Sequence, residues 1–151
     1  MQDNGVKVEA LCQLTPADWE KYSALVADPV LNKRARHCIL ENQRVIDAAS
    51  VLKAGDLAKL GQLLNASHKS LKEDYEVTGI ELDTLAETSQ KQEGCLGARM
   101  TGAGFGGCAI ALVHKDKLDS FIENVQSTYE KAIGYKAGFF VCETGDGVAK
   151  L

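Results

Sequence analysis

The chain has 151 residues, 45% hydrophobic and 25% charged, with a formal net charge of −4. This length and balance fit one globular domain with a sizeable core, and the acidic charge leaves no footprint for nucleic acid or an anionic membrane. No apolar run approaches the roughly 18 residues of a membrane span, and Met1 to Leu11 lacks the basic-then-apolar layout of a signal peptide.

Five cysteines (Cys12, Cys38, Cys95, Cys108 and Cys142) are scattered, odd in number and free of C-x-x-C spacing. That pattern predicts reduced thiols in a cytoplasmic protein rather than a disulfide frame or a zinc site. Cys108 and Cys142 lie in apolar runs and read as small core residues.

After a polar stub at Gln2–Gly5, Thr15-Pro16-Ala17-Asp18 reads as an N-cap, a proline at the first helical position and an acid at N3. A helix is predicted to about Ala27. Asp28-Pro29 starts a second helix, whose stripe is Leu31, Ala35, Cys38, Asn42, Val45, Ala49 and Leu52. Gly55 ends it. Asp56 caps a third, with its face at Leu57, Leu60, Leu64, His68 and Leu71. A fourth runs from about Glu81 to Gln92.

The texture then changes. Leu96 to Thr101 reads as a strand, followed by the glycine loop Gly102-Ala-Gly-Phe-Gly-Gly107. Cys108 to Val113 is a continuous apolar run, predicted to be a strand covered on both faces. Asp116 caps a last helix with its face at Leu118, Phe121, Ile122, Val125, Tyr129 and Ile133. Gly138 to Cys142 is predicted to be a third strand, and Thr144 to Gly147 a turn. The whole predicts an α+β fold: a helical first half, then a small, mostly antiparallel sheet with helices on one face.

The glycine loop carries the chemistry. Successive backbone N–H groups in such a loop can cradle an anion, typically phosphate. Gly102-x-Gly104-x-x-Gly107 matches the dinucleotide spacing, but that fingerprint needs a helix directly after the loop, and here a strand follows. No Gly-Lys-Ser/Thr makes it a Walker loop, and no V-A-I-K, H-R-D or D-F-G makes it a protein-kinase loop. A tight turn in a sheet is the plain alternative, against which stand four glycines flanked by Arg99 and Thr101. His68, in an apolar helix stripe, reads as a satisfied, partly buried histidine. Lys72 to Glu76 reads by default as a solvated acidic helix end, with a wall of the site as the alternative. Lys33-Arg34-Ala35-Arg36-His37 is a basic run, solvated by default, that could face an acidic segment.

Gly97-Ala-Arg-Met-Thr-Gly-Ala-Gly-Phe-Gly-Gly-Cys108 resembles the third motif of the GHMP small-molecule kinases, in the form found in their galactokinase branch. Lys33 to His37, the segment Ser67 to Val77, and Glu81-Leu82-Asp83 agree with it. The overall flavour resembles the enzymes of lactic-acid bacteria. The resemblance implies a ferredoxin-like C-terminal domain over residues 1–151. It implies transfer of the ATP γ-phosphoryl to O1 of α-D-galactose, with magnesium.

That family's galactose-recognition segment, G-L-S-S-S nucleotide loop, magnesium ligands and catalytic base have no match here, so the resemblance places them in a separate N-terminal domain. Asp74 and Asp119 match no catalytic position, and the chain alone is expected to be inactive. The resemblance implies that Arg99, Met100, Thr101, Gly102, Ala103, Gly104, Phe105, Gly106 and Gly107 lie close to the substrate and phosphates, with Arg99 and Thr101 anchoring the loop and Ser67 and His68 supporting it. The alternatives are a stand-alone anion-binding regulatory module, or the same domain of another GHMP kinase.

Overall fold

Local capping chemistry sets the first three helices. The computed structural model describes residues 6–143 and residue 145. Helix α1 (Pro16–Tyr22) is closed by Thr15, whose Oγ1 accepts the Asp18 N–H at 3.2 Å while Asp18 accepts the Thr15 N–H at 2.9 Å. In α2 (Pro29–Lys53), Asp28 accepts the N–H groups of Val30 and Leu31 at 2.8 and 2.9 Å. In α3 (Leu57–Ser70), Asp56 accepts the Lys59 N–H at 2.9 Å. Each cap satisfies donors that the first helical turn leaves orphaned.

Helix α3 does not stop at Ser70. It widens into a π-helical turn, Leu71–Tyr75, which closes with Glu76 in the left-handed region at φ 57°. Helix α4 (Ile80–Gln90) follows, then β1 (Cys95–Thr101), β2 (Cys108–Val113) and α5 (Leu118–Ile133). The two strands are antiparallel, with Ala98 opposite Ala111 and Thr101 opposite Cys108. Helices α3 and α4 both pack on β1. The fold is the expected α+β arrangement, helical first and sheet second, with two strands among the described residues.

Helix α3 meets β1 backbone to backbone. A β-carbon on Gly97 would stand 2.2 Å from the Gly61 carbonyl oxygen, and one on Gly61 would stand 1.9 Å from that of Leu96. Asn65 on α3 accepts the Ala98 N–H at 2.9 Å, and Gln90 on α4 donates to the Ala98 carbonyl at 2.8 Å. Two buried clusters result. One holds Val6, Leu14, Trp19, Ala35 and Ile39, the other Leu71, Leu82 and Met100.

Several local expectations are corrected. Residues 138–142 form no strand: the segment lies alongside neither β1 nor β2 in a hydrogen-bonded ladder, and Phe140 is 90% exposed. An apolar run of this length needs a neighbour to become a strand. Cys108 and Cys142 are exposed, not core residues. Strand β2 is not covered on both faces, since Cys108, Ile110 and Ala111 are exposed.

Of the expected stripe on α2 only Ala35 is buried. Leu31, Val45 and Leu52 are exposed, and His37 and Ile39 are buried instead, His37 against Ser70 and Ile39 in the cluster around Trp19. Leu57, at the start of the α3 face, is also exposed. Asp116 lies within a short 3-10 turn, Lys115–Lys117, that precedes α5, so it caps nothing. Except for Gly145, the turn expected at Thr144–Gly147 lies outside the described residues. No helix among the described residues is long and apolar enough to cross a membrane.

Candidate functional site

The loop between β1 and β2 is built from unusual backbone. Gly102, Gly104, Phe105, Gly106 and Gly107 all have positive φ, between 59° and 106°. Gly104 presses on the turn after α3, where a β-carbon would stand 2.0 Å from the Val77 carbonyl oxygen. The next residue, Phe105, donates its N–H to that same carbonyl at 2.7 Å. Its ring is 80% exposed. Gly102, Gly106 and Gly107 differ: nothing lies within 4 Å of where their β-carbons would be.

The strand leading into the loop is held by two polar ties. In the first, Arg99 pairs with Glu41 of α2 at 3.0 Å, and its Nε donates to the Met100 carbonyl at 2.9 Å. Glu41 also accepts from the Ser67 hydroxyl and pairs with Arg44 at 2.6 Å. Burial alone would push the Glu41 carboxyl up. The hydrogen bonds from Ser67 and Arg44 and the charges of Arg44 and Arg99 outweigh that and hold it below its ordinary range.

In the second tie, the Met100 N–H donates to Nδ1 of His68 at 3.2 Å. A backbone N–H can only donate, so Nδ1 accepts and the ring proton sits on Nε2. That nitrogen faces Asp83 Oδ1 at 3.5 Å. Burial pushes the His68 pKa down, so the ring is neutral near pH 7. His68 is only 2% exposed, and the Met100 hydrogen bond fixes its orientation from one side.

His68, Asp83 and Glu87 bring three ligand-type atoms within 4.8 Å of one another. The geometry does not suit a metal. A protonated Nε2 has no lone pair to give, and Lys72 already pairs with Asp83 at 3.5 Å and with Glu87. The group links α3, α4 and the turn after α3, with His68 its buried member.

The basic run on α2 meets the acidic turn after α3. Arg36 pairs with Asp74 at 2.7 Å, Arg34 and Lys33 pair with Glu76 at 2.6 and 3.1 Å, and Arg34 also donates to the Asp74 carbonyl. The His37 ring stacks on Tyr75 with centroids 4.6 Å apart. Its Nδ1 lies 3.0 Å from Ser70 Oγ, which donates to Asp74 at 2.9 Å. An open cleft of about 1080 Å³ runs from this turn to Ala103 and Phe105.

The expected site residues thus converge. Arg99, Met100 and Thr101 form the end of β1, Gly102 to Gly107 form the loop, and Ser67 and His68 sit under the strand. Thr101 is exposed at the loop mouth, whereas Met100 is buried in a cluster with Leu71 and Leu82. Sequence reasoning missed Glu41 and Val77. A half-buried arginine on a strand calls for a carboxylate partner, but nothing local points to one 58 residues away. Val77 acts through its carbonyl, which leaves no mark on side-chain type.

The family model described as GHMP kinases C terminal matches residues 48–131. The chain belongs to the GHMP kinase family. Among GHMP kinase relatives, it is 56% identical over 146 residues to galactokinase of Enterococcus faecalis, covering 97% of this chain and 38% of that protein. It is 55% identical to galactokinase of Streptococcus suis, over 94% of this chain and 36% of that one. The crystal structure of Lactococcus lactis galactokinase complexed with galactose superposes with a TM-score of 0.93 at 52% identity, over 99% of this chain and 39% of that one. The crystal structure of L. major mevalonate kinase in complex with R-mevalonate matches 74% of this chain and 36% of its own, with a TM-score of 0.56 at 28% identity. This GHMP kinase chain therefore spans a little over a third of the length of the relatives it resembles.

Proposed function

We propose that these residues form the C-terminal domain of a galactokinase, which transfers the γ-phosphoryl of ATP to O1 of α-D-galactose in the cytoplasm. The observation that carries this reading is the glycine loop, set on a domain that superposes on Lactococcus lactis galactokinase with a TM-score of 0.93. Phosphoryl transfer depends mostly on positioning and charge stabilisation, and this chain supplies positioning. Gly104 is small because Val77 leaves it no room. Gly102, Gly106 and Gly107 meet no such neighbour, so their missing side chains leave the backbone open to something outside the domain.

On this reading the loop forms one wall of the cleft. Its backbone approaches the phosphates or the sugar and buttresses the nucleotide loop of the N-terminal domain. Arg99 and Met100 hold the stem of the loop, through Glu41 with Ser67 and through His68. Magnesium does not fit the residues present. The carboxylates around the loop, Glu41, Asp74, Glu76 and Asp83, are each paired with an arginine or lysine. The catalytic base and metal ligands then come from the N-terminal domain, and the 151 residues alone turn over no galactose.

The test is a chimera in which this chain replaces the matching 39% of Lactococcus lactis galactokinase. Galactose 1-phosphate formation near the parental rate is expected. A folded chimera that binds galactose and ATP but transfers no phosphoryl group would refute the reading.

A further inference from the structure

Two residues other than glycine have positive φ among the described residues, Glu76 at 57° and Phe105 at 59°. They meet across a single hydrogen bond. Val77, the residue after Glu76, accepts the Phe105 N–H at 2.7 Å. Left-handed backbone in a side-chain-bearing residue is strained and persists where its surroundings impose it.

The surroundings of Glu76 are the α2 cations. Arg34 reaches one carboxylate oxygen at 2.6 Å and Lys33 the other at 3.1 Å. These two hydrogen bonds hold the Glu76 carboxyl below its ordinary pKa. The Val77 N–H is itself tied back to the Leu71 carbonyl at 3.2 Å, across the π-helical turn. The Glu76 N–H is tied to the same carbonyl, so main-chain hydrogen bonds close the turn while the Glu76 side chain fastens it to α2, and together they set the aim of the Val77 carbonyl.

We propose that Glu76 is a positioning residue for the glycine loop, acting through the Val77 carbonyl on Gly104 and Phe105. Lys33 and Arg34 hold Glu76 in place. This rests on the kinase reading above for its purpose, though not for its geometry. The latch is electrostatic at one end and a single backbone hydrogen bond at the other. The loop can thus be released without unfolding the domain, because Met100 and Arg99 hold the stem independently.

Amide hydrogen exchange by NMR on the 151-residue chain tests the latch. In Glu76→Gln, exchange at the Phe105 amide should rise roughly three- to tenfold, the scale of two lost surface ion pairs, while the Met100 amide is unchanged. Half-molar salt should speed Phe105 exchange in the unaltered chain and have little further effect in the variant, since salt screens exposed pairs. Lys33→Met should shift the same amide in the same direction. Equal Phe105 rates in the variants and the unaltered chain would overturn the proposal, as would a parallel rise at Met100.

In the galactokinase chimera, Glu76→Gln should lower kcat by a similar factor with the KM for galactose unchanged. Unchanged kcat beside faster Phe105 exchange would also overturn the positioning role. A chimera that is inactive without any substitution counts against the kinase reading, and the exchange comparison then decides the latch alone.

Discussion

A β-carbon on Gly104 would stand 2.0 Å from the carbonyl oxygen of Val77, the same oxygen that accepts the Phe105 N–H at 2.7 Å. Contact and hydrogen bond occupy one spot, so a side chain at Gly104 opens both. Gly104→Val is expected to free the loop tip at a cost of about 1–3 kcal/mol. In the galactokinase chimera it should lower kcat at least tenfold while far-UV circular dichroism stays the same. Near-normal turnover would count against an active-site role for the loop.

The Gly61–Gly97 contact is a different kind of constraint, because it joins α3 to β1 rather than holding a loop. Gly97→Ala puts a methyl group 2.2 Å from the Gly61 carbonyl oxygen, which is backbone and cannot swing aside. Urea denaturation should show a loss of roughly 1–3 kcal/mol or somewhat more. A loss below half a kcal/mol would mean that helix and strand separate more easily than their packing implies.

His68 accepts a buried N–H, so its replacement is predicted to cost stability rather than to leave it neutral. His68→Leu keeps an apolar body but leaves the Met100 N–H without an acceptor, and about 1–3 kcal/mol should be lost. If His68→Leu matches the unaltered chain in urea, the Met100 hydrogen bond contributes nothing net.

Stability should fall as the solution is acidified through the histidine range. Burial lowers the pKa of both His37 and His68 in the folded chain. Below their unfolded value of about 6.5, the unfolded chain therefore binds more protons, and unfolding becomes easier as pH drops. Glu41, also lowered, adds to this only at more acidic pH, below the ordinary carboxylate value. Urea midpoints should be flat from pH 8 to 7 and decline from about 6.5 downward. A His37→Asn, His68→Asn double variant that declines just as steeply would assign the effect to other groups.

What could be read in advance followed from local rules. Thr15, Asp28 and Asp56 announced three helix starts, and all three side chains close those helices. The glycine loop and its flanking strands were legible because backbone with positive φ selects for glycine. The errors lie where tertiary surroundings decide. The segment at 138–142 is apolar enough for a strand, yet it lacks a ladder partner. The α2 stripe has the right period as far as Leu52, but Leu31, Val45 and Leu52 are exposed: period alone does not say which face another element covers. Lys33 to His37 and Lys72 to Glu76 look like two solvated charge runs. They are two sides of one interface, and only the crossing of α2 over the turn after α3 brings them together.

Trp19 is the only tryptophan in the chain, and it is buried with Val6, Leu14, Ala35 and Ile39. The glycine loop stands on the other cluster, with Met100, Leu71 and Leu82. Tryptophan emission is thus a reporter seated in the first of these two clusters. A melt followed at the tryptophan emission band reads the packing of α1 on α2, whereas the Phe105 amide reads the loop.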